Sequence, residues 1–315
     1  MIAPDLTATV GGTPLVELSR LAAGLPGRVV GKLEMRNPCG SVKDRLGVAL
    51  IEDAEHRGVL RPGMTIIEAT GGNTGIGIAF AAAIRGYRVV LTMPDTMSAE
   101  RVSLLRFLGA EVVLTEGILM GNAVLRAQQL LNEIPDSVML DQFNNPANPE
   151  LHRRTTAVEI WDDTAGAVDV FVSAVGTGGT LTGVGEVLKE RKPSVRVIAV
   201  EPAGAAVLSG GPAGSHQIPG IGVGFIPAVL NRSIIDEVVA VSDRDAFDAT
   251  RRLARTEGIL AGVSSGAALH AALAVAGREE SEGNVIVVLL ADGAERYITT
   301  ALFASDDWAG AARVR

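Results

Sequence analysis

The chain of 315 residues is 47% hydrophobic and 3% aromatic, and its size and apolar content suffice for one large domain or two smaller ones with a real core. Its net charge of −8 at pH 7 argues against nucleic acid as the main partner. The single cysteine excludes an internal disulfide, and the four histidines have no metal-ligand spacing, so we expect no metal site.

Hydrophobic periodicity predicts alternating strands and helices along most of the chain. In the first half we expect strands at residues 29–34, 65–68, 88–93 and 111–115, and helices at residues 42–57, 74–85, 98–108 and 122–132. In the second half we expect strands at residues 168–175, 195–200, 237–241 and 285–290, and helices at residues 181–191, 244–256 and 267–276. This alternation is typical of parallel βαβ units, so the predicted class is α/β.

Two segments interrupt the alternation. Residues 142–149 contain two prolines and three asparagines, and we interpret this stretch as a loop at a domain crossover. Residues 202–227 form a second, Gly/Pro-rich loop. The tail after Phe303 is expected to be loosely ordered.

The stretch Asn37-Pro38-Cys39-Gly40-Ser41-Val42-Lys43 brings one lysine to the start of a predicted helix. A lysine at such a junction can place its amine in a cleft, where its pKa falls and it can form a Schiff base. A solvated helix start is the simpler interpretation of Lys43 taken alone. Three other segments bear on the choice.

The first is Gly176-Thr177-Gly178-Gly179-Thr180, which follows a predicted strand and opens a helix. Backbone N–H groups and threonine hydroxyls at a helix N-terminus form a ready anion site. The loop has no lysine, as a nucleotide P-loop would, and Leu181 stands where a dinucleotide fingerprint requires glycine. We therefore favour a phosphate over ATP or NAD, with a plain tight turn as the alternative.

The other two segments also precede predicted helices. Thr70-Gly71-Gly72-Asn73-Thr74-Gly75 suits a substrate carboxylate, with Thr70 and Thr74 as hydroxyl donors and the Asn73 amide within reach of a phenolic oxygen. For Ser264-Ser265-Gly266, a serine N-cap is a sufficient explanation. Together the four segments offer a Schiff-base lysine, a phosphate cradle, a carboxylate cradle and a neutral hydroxyl.

In these motifs, their order and their spacing, the chain resembles the cysteine synthase (O-acetylserine sulfhydrylase) and cystathionine β-synthase family of fold-type II pyridoxal-phosphate enzymes. The resemblance runs from Gly12-Thr13-Pro14-Leu15 to Glu295-Arg296-Tyr297. It implies two open twisted, mainly parallel sheets flanked by helices, as in the tryptophan synthase β-subunit. We expect a smaller domain (1–12 and 36–145), a larger one (13–35 and 146–303) and a tail (304–315).

The resemblance also assigns roles to residues. It implies that Lys43 forms the Schiff base with pyridoxal 5'-phosphate and acts as the catalytic base, that Asn73 bonds the 3'-oxygen of the ring, and that Ser264 faces the pyridine nitrogen. The implied phosphate-binding residues are Gly176, Thr177, Gly178, Gly179 and Thr180. The implied substrate-binding residues are Thr70, Gly71, Asn73, Thr74, Gln142 and Gly222.

The implied reaction is β-replacement on O-acetyl-L-serine, with acetate released through an α-aminoacrylate, most simply in cysteine synthesis. A serine at the pyridine nitrogen suits elimination and replacement better than transamination. The family usually has serine where this chain has Gly71, and we expect the missing side chain to leave room for a larger acceptor. A specialised synthase using thiosulfate, homocysteine or hydroxyurea (giving O-ureidoserine) is therefore an alternative, as are a catalytically idle binding relative and a serine/threonine dehydratase.

The same resemblance implies partners and a location. It implies a homodimer, and a complex with the C-terminal tail of a serine acetyltransferase that would insert into the active-site cleft. The first thirty residues show no secretion signal, and the lone cysteine fits a reducing compartment, so we expect a cytoplasmic protein. The choice between O-acetylserine and O-phosphoserine as donor stays open at this point.

Overall fold

The computed structural model describes residues 2–117 and 120–304. Of the predicted tail (304–315), all residues after position 304 lie outside the described residues. The strands are β1 (Leu15–Glu17), β2 (Arg28–Leu33), β3 (Thr65–Ala69), β4 (Arg88–Pro94), β5 (Glu111–Thr115), β6 (Ser137–Met139), β7 (Val168–Ala174), β8 (Arg196–Pro202), β9 (Glu237–Val241) and β10 (Val285–Leu290). The helices are α1 (Lys43–His56), α2 (Asn73–Arg85), α3 (Ala99–Phe107), α4 (Met120–Glu133), α5 (Ala147–Arg154), α6 (Thr156–Asp163), α7 (Gly179–Arg191), α8 (Asp243–Glu257) and α9 (Val263–Ala276).

The strands form two separate sheets. One has six strands in the order β1-β2-β10-β7-β8-β9, and the other has four in the order β5-β4-β3-β6. Every neighbouring pair is parallel except β1 and β2. The predicted α/β class with two mainly parallel sheets flanked by helices is therefore confirmed.

Four of these strands and helices were not predicted from the sequence. The strands β1 and β6 have three residues each, too few to show an alternating pattern. Helices α5 and α6 occupy a stretch for which no helix was predicted, and α5 begins at Ala147, inside the predicted loop. Pro149 is tolerated there because it lies in the first turn, where its missing N–H would have no intrahelical acceptor.

Helices α1 and α2 cross at two glycines. A Cβ atom at Gly47 would overlap the backbone of Gly77, and one at Gly77 would overlap the carbonyl of Lys43. The two helices therefore meet at backbone contact, which no larger residue allows at either position. This crossing fixes the first turn of α1 beside α2.

A buried ionic network joins α1 to the six-stranded sheet. Arg45 Nε lies 2.7 Å from Glu34 Oε2, and Arg45 Nη1 lies 2.7 Å from Glu159 Oε1 on α6. Lys32 Nζ, fully buried on β2, lies 2.8 Å from Glu159 Oε2. Burial disfavours the charge of Glu159, but hydrogen bonds from Arg45 and Lys32 outweigh it and lower the pKa of Glu159 to about 2.

Two negative findings apply to residues 2–117 and 120–304. Within these ranges no helix has both the length and the apolar character needed to cross a membrane. Nor does any group of three or more His, Cys, Asp and Glu side chains in this part of the chain have a metal-binding arrangement.

Candidate active site

A cavity of about 590 Å³ opens at the carboxyl ends of β3, β7 and β10, where ligands bind in open α/β sheets. The sequence-predicted residues that line it are Lys43, Thr70, Gly71, Asn73, Thr74, Gln142, Gly176, Thr177, Gly178, Thr180, Gly222 and Ser264. Gly179, also predicted, does not line it; its Cα packs against the side chain of Asn148. The fold thus brings the four predicted motifs, together with Gln142 and Gly222, to one cavity.

Lys43 is the first residue of α1, and its side chain lines the cavity instead of a solvated helix face. Burial lowers the pKa of Lys43 to about 8. The preceding turn is held by Asp44, whose Oδ2 accepts a hydrogen bond of 2.6 Å from the Cys39 N–H, and by a left-handed Gly40. The turn residues therefore place an amine of reduced basicity in the cavity.

The loop before α2 is fixed to the segment carrying Gln142. The Thr74 hydroxyl donates to Gln142 Oε1 over 2.7 Å, so in this structure its proton is bound by the Gln142 side chain, and its role as a donor to a substrate carboxylate stays a prediction. The buried Glu68 carboxylate accepts hydrogen bonds from the N–H groups of Leu140 and Asp141 at 3.1 and 3.0 Å. Burial raises the pKa of Glu68 to about 7. Sequence reasoning did not identify this carboxylate as a support of the loop.

Asn73 belongs to a buried polar cluster at the end of β10. Its Nδ2 donates to Asp292 Oδ2 over 2.7 Å, and the Tyr297 hydroxyl donates to the same oxygen over 2.5 Å. Asn73 Oδ1 is buried and has no hydrogen-bond partner among the described residues. Burial raises the pKa of Asp292, which also lines the cavity. Sequence reasoning did not identify Asp292 as a residue of the site.

The glycine-rich loop after β7 requires glycine at Gly178 for its backbone conformation and at Gly176 for a close contact. Gly178 caps α7 with φ +82°, and a Cβ there would lie 2.8 Å from the Leu230 side chain. At Gly176, a Cβ would overlap the carbonyl of Gly220. The loop is therefore pressed against residues 220–230, and the N-terminus of α7 faces the cavity.

Ser264 is not the N-cap of α9. The helix begins at Val263 after Gly262, which places Ser264 in the first turn, where it is buried and lines the cavity. The neighbouring Ser265 Oγ accepts a hydrogen bond of 2.8 Å from the Ala291 N–H, which ties α9 to the end of β10. The N-cap interpretation of these serines is wrong.

The room for a larger acceptor that was expected beside Gly71 is not open in this structure. A Cβ at Gly71 would lie 2.8 Å from both Cγ and Sδ of Met97 and 3.1 Å from Met93 Cβ. Met97 lines the cavity and fills the space that the absent side chain would have left.

Comparison with known proteins shows wide similarity. Residues 6–292 match the family described as pyridoxal-phosphate dependent enzyme. The chain is 49% identical over 310 residues to cysteine synthase A of Escherichia coli, with 95% of each chain covered. The structure of cysteine synthase (OASS) from Entamoeba histolytica superposes with a TM-score of 0.94 at 44% identity, covering 98% of this chain and 92% of that one. O-ureido-L-serine synthase gives a TM-score of 0.93 at 45% identity, covering 99% and 100%.

Proposed function

Because the chain belongs to the family of pyridoxal-phosphate-dependent enzymes, as a relative of the cysteine synthases, we propose that it catalyses the replacement of the acetoxy group of O-acetyl-L-serine by sulfide in this cavity. The products are L-cysteine and acetate. The observation that carries this proposal is the meeting of the Lys43 amine, the two glycine-rich helix N-termini and Ser264 in one cavity of about 590 Å³. A volume of this size suits a small cofactor together with an amino acid.

Pyridoxal phosphate fits the residues that the cavity presents. The N-terminus of α7, with Thr177 and Thr180, offers N–H and hydroxyl donors for a phosphate. The buried Asn73 Oδ1, which lacks a partner among the described residues, and Ser264 offer polar contacts for the ring. Lys43, with its pKa lowered to about 8, is the amine that would bond the cofactor. When bound, the cofactor supplies an electron sink for charge developing at the substrate Cα.

The remaining chemistry belongs to the chain's own groups. As a free amine, Lys43 removes the proton from the substrate Cα and later returns it to the product, and a pKa near 8 keeps a useful fraction of this amine neutral at physiological pH. The N-terminus of α2, with Thr70 and the amide of Gln142, would hold the substrate carboxylate. Held by its carboxylate and by the cofactor, the substrate would present its Cβ to the incoming nucleophile.

Sulfide is the favoured nucleophile because Met97 occupies the space next to Gly71. The second candidate is a specialised synthase with a larger acceptor, such as hydroxyurea. Its support is the 45% identity to O-ureido-L-serine synthase over 99% of the chain, together with the flexibility of a methionine side chain, which can move aside.

A panel assay tests the proposal. The purified holoenzyme is given O-acetylserine or O-phosphoserine with sulfide, thiosulfate, homocysteine or hydroxyurea, and kcat/KM is measured for each pair. We expect O-acetylserine with sulfide to give the highest value and Lys43→Ala to lower it by several orders of magnitude. A higher value for hydroxyurea would establish the second candidate, and wild-type activity in Lys43→Ala would overturn the site assignment.

We propose further that the chain forms a homodimer and acts in the cytoplasm. The dimer is supported by the exposed apolar residues Leu104, Leu260 and Ile298, which line one surface cavity with a volume of about 900 Å³. Sedimentation of wild type and of Ile298→Asp tests it, with a monomeric wild type as the contrary result.

A serine acetyltransferase tail would compete with the amino-acid substrate for the same carboxylate donors, and a peptide that fails to compete would exclude this partner.

The division into two domains, 1–12 with 36–145 and 13–35 with 146–303, is likewise a proposal. Its support is the distribution of the strands, because β3 to β6 fall in the first set of residues and all strands of the six-stranded sheet fall in the second.

A further inference from the structure

We propose that Asn148 and His152 of α5 are positioning residues that donate hydrogen bonds to the hydroxyl oxygens of Thr177 and Thr180, and thereby direct both hydroxyl protons into the anion site. The inference rests on the proposed phosphate site and names the groups that orient it. Neither Asn148 nor His152 lines the cavity, so both act through the threonines.

The Asn148 amide is fixed by a carbonyl. Asn148 is fully buried, and its Nδ2 donates to the Gln142 carbonyl over 2.8 Å and to Thr177 Oγ1 over 3.0 Å. Because a carbonyl only accepts, the amide orientation is settled and both Nδ2 protons are used. Thr177 Oγ1 therefore accepts from Asn148, and its own proton is left to donate elsewhere.

His152 makes the equivalent contact to Thr180. The ring is 1% exposed, with Nδ1 2.9 Å from Thr156 Oγ1 and Nε2 3.1 Å from Thr180 Oγ1. Burial holds the pKa of His152 well below its usual value, so the ring is neutral and carries one N–H. If the Thr156 hydroxyl donates to Nδ1, the proton lies on Nε2 and is donated to Thr180 Oγ1. The Thr180 proton is then free to donate to the anion.

The packing of α5 on α7 makes this pairing possible. Asn148 and His152 are one helical turn apart and face Thr177 and Thr180, which are three residues apart. A Cβ at Gly179 would overlap the Asn148 amide, and one at Gly183 would overlap the Pro149 carbonyl. The glycines let α7 approach closely enough for the hydrogen bonds, which also explains why Gly179 lies behind the cavity wall.

The consequence is a site whose hydroxyl donors are set before the anion arrives. A free threonine hydroxyl can rotate and must be ordered on binding, whereas these two have their acceptor positions filled from behind. Hydrogen bonds from such donors to a phosphate are charge-assisted and strong. Loss of one oriented donor should weaken phosphate binding by about tenfold.

The experiment compares two ligands that differ only in the phosphate. The cofactor-free protein is titrated with pyridoxal 5'-phosphate and with pyridoxal in wild type, His152→Phe, Thr180→Val and the double variant. We expect His152→Phe to lose about tenfold in affinity for pyridoxal phosphate and nothing for pyridoxal. Thr180→Val should add little to His152→Phe, because both remove the same bond.

Further variants separate positioning from structural damage. His152→Gln, which keeps a donor near the Nε2 position, should restore much of the affinity. Thr156→Val should lose affinity in the same direction but less, since the ring stays and only its tautomer is freed. Thr155→Val is the matched control: this hydroxyl donates to the Leu151 carbonyl over 2.7 Å and does not reach the loop.

The outcomes distinguish this inference from the proposed function. If wild type binds pyridoxal as tightly as pyridoxal phosphate, the phosphate site itself is wrong. If wild type prefers the phosphate and His152→Phe either leaves that preference unchanged or weakens both ligands equally, the positioning role is overturned. Should His152→Phe fail to fold, an unchanged ligand preference in Thr156→Val and in Asn148→Leu overturns it instead.

Discussion

At the scale of single residues, the Lys43 amine is costly to bury in its charged form. Its pKa is about 8 in the folded protein and 10.5 in the unfolded chain. Between these values the unfolded chain binds the extra proton, so the cofactor-free protein gains stability as pH rises from about 8 to 10.5. Below pH 8 the lysine is charged in both states and its burial opposes folding.

The first prediction follows for Lys43→Met. At pH 7 the cofactor-free variant should be more stable than wild type by about 1–3 kcal/mol, because the buried charge is removed and the side-chain volume is kept. Near pH 10.5, where the wild-type lysine is neutral in the folded protein and half neutral in the unfolded chain, the difference should largely vanish. Urea unfolding of both proteins at the two pH values measures this, and a difference that does not change with pH would contradict the reduced basicity of Lys43.

Met97 is the residue that limits the space next to Gly71. The second prediction is that Met97→Ala raises kcat/KM for hydroxyurea relative to sulfide by about tenfold, since it opens the volume that Met97 occupies. Gly71→Ser alone should lower kcat/KM for both nucleophiles, because its Cβ would approach Met97 Sδ to 2.8 Å. Met64→Ala, a change outside the cavity lining, is the matched control. Equal responses of the two nucleophiles to Met97→Ala would show that Met97 does not select by size.

At the scale of elements, the crossing of α1 and α2 determines where the Lys43 side chain begins. The third prediction is that Gly77→Ala destabilises the protein by about 3 kcal/mol and weakens cofactor binding, because the new methyl group collides with the Lys43 carbonyl. Gly121→Ala is the control: Gly121 lies in α4 with no atom within 4 Å of its would-be Cβ, and the change should stabilise the helix slightly. Thermal unfolding and cofactor titration of both variants decide the matter.

Much of this arrangement could be predicted from the sequence, because buried parallel strands leave continuous apolar runs and the helices between them show amphipathic spacing. The glycine-rich loops and Lys43 could also be identified, because each lies in a short motif next to a predicted helix. The supporting residues were not. Asp292, Glu68 and His152 have ordinary sequence neighbours, and their contacts arise only when separate segments pack together. The helix α5 was missed because its prolines and asparagines resemble those of a loop.

At the scale of the whole molecule, the Lys32, Arg45 and Glu159 network holds α1 against the six-stranded sheet. The pKa of Glu159 is about 2 in the folded protein and 4.5 in the unfolded chain, so its contribution to stability is present above pH 4.5 and is lost as pH falls towards 2. The network therefore links acid unfolding to the attachment of the Lys43 helix.

The fourth prediction is that Glu159→Gln lowers the free energy of unfolding at pH 7 by about 3 kcal/mol, since Lys32 and Arg45 then lose a buried partner charge. The difference from wild type should shrink as the pH falls from 4.5 to 2. The control is Glu111→Gln, whose exposed pair with Arg88 should matter by less than about 1 kcal/mol. Denaturant unfolding across this pH range measures both, and equal losses in the two variants would contradict a special role for the network.

The order of strands in the six-stranded sheet has a consequence for synthesis on the ribosome. Strand β10, at Val285–Leu290, pairs with β2, at Arg28–Leu33, and with β7, so it lies between segments made much earlier. The strands of the four-stranded sheet all lie between Thr65 and Met139, and their partners emerge in close succession. The smaller sheet can therefore assemble while translation continues. In the larger sheet β1 can pair with β2 early, but the other edge of β2 must wait for β10, and it stays exposed to wrong partners until this last strand leaves the exit tunnel.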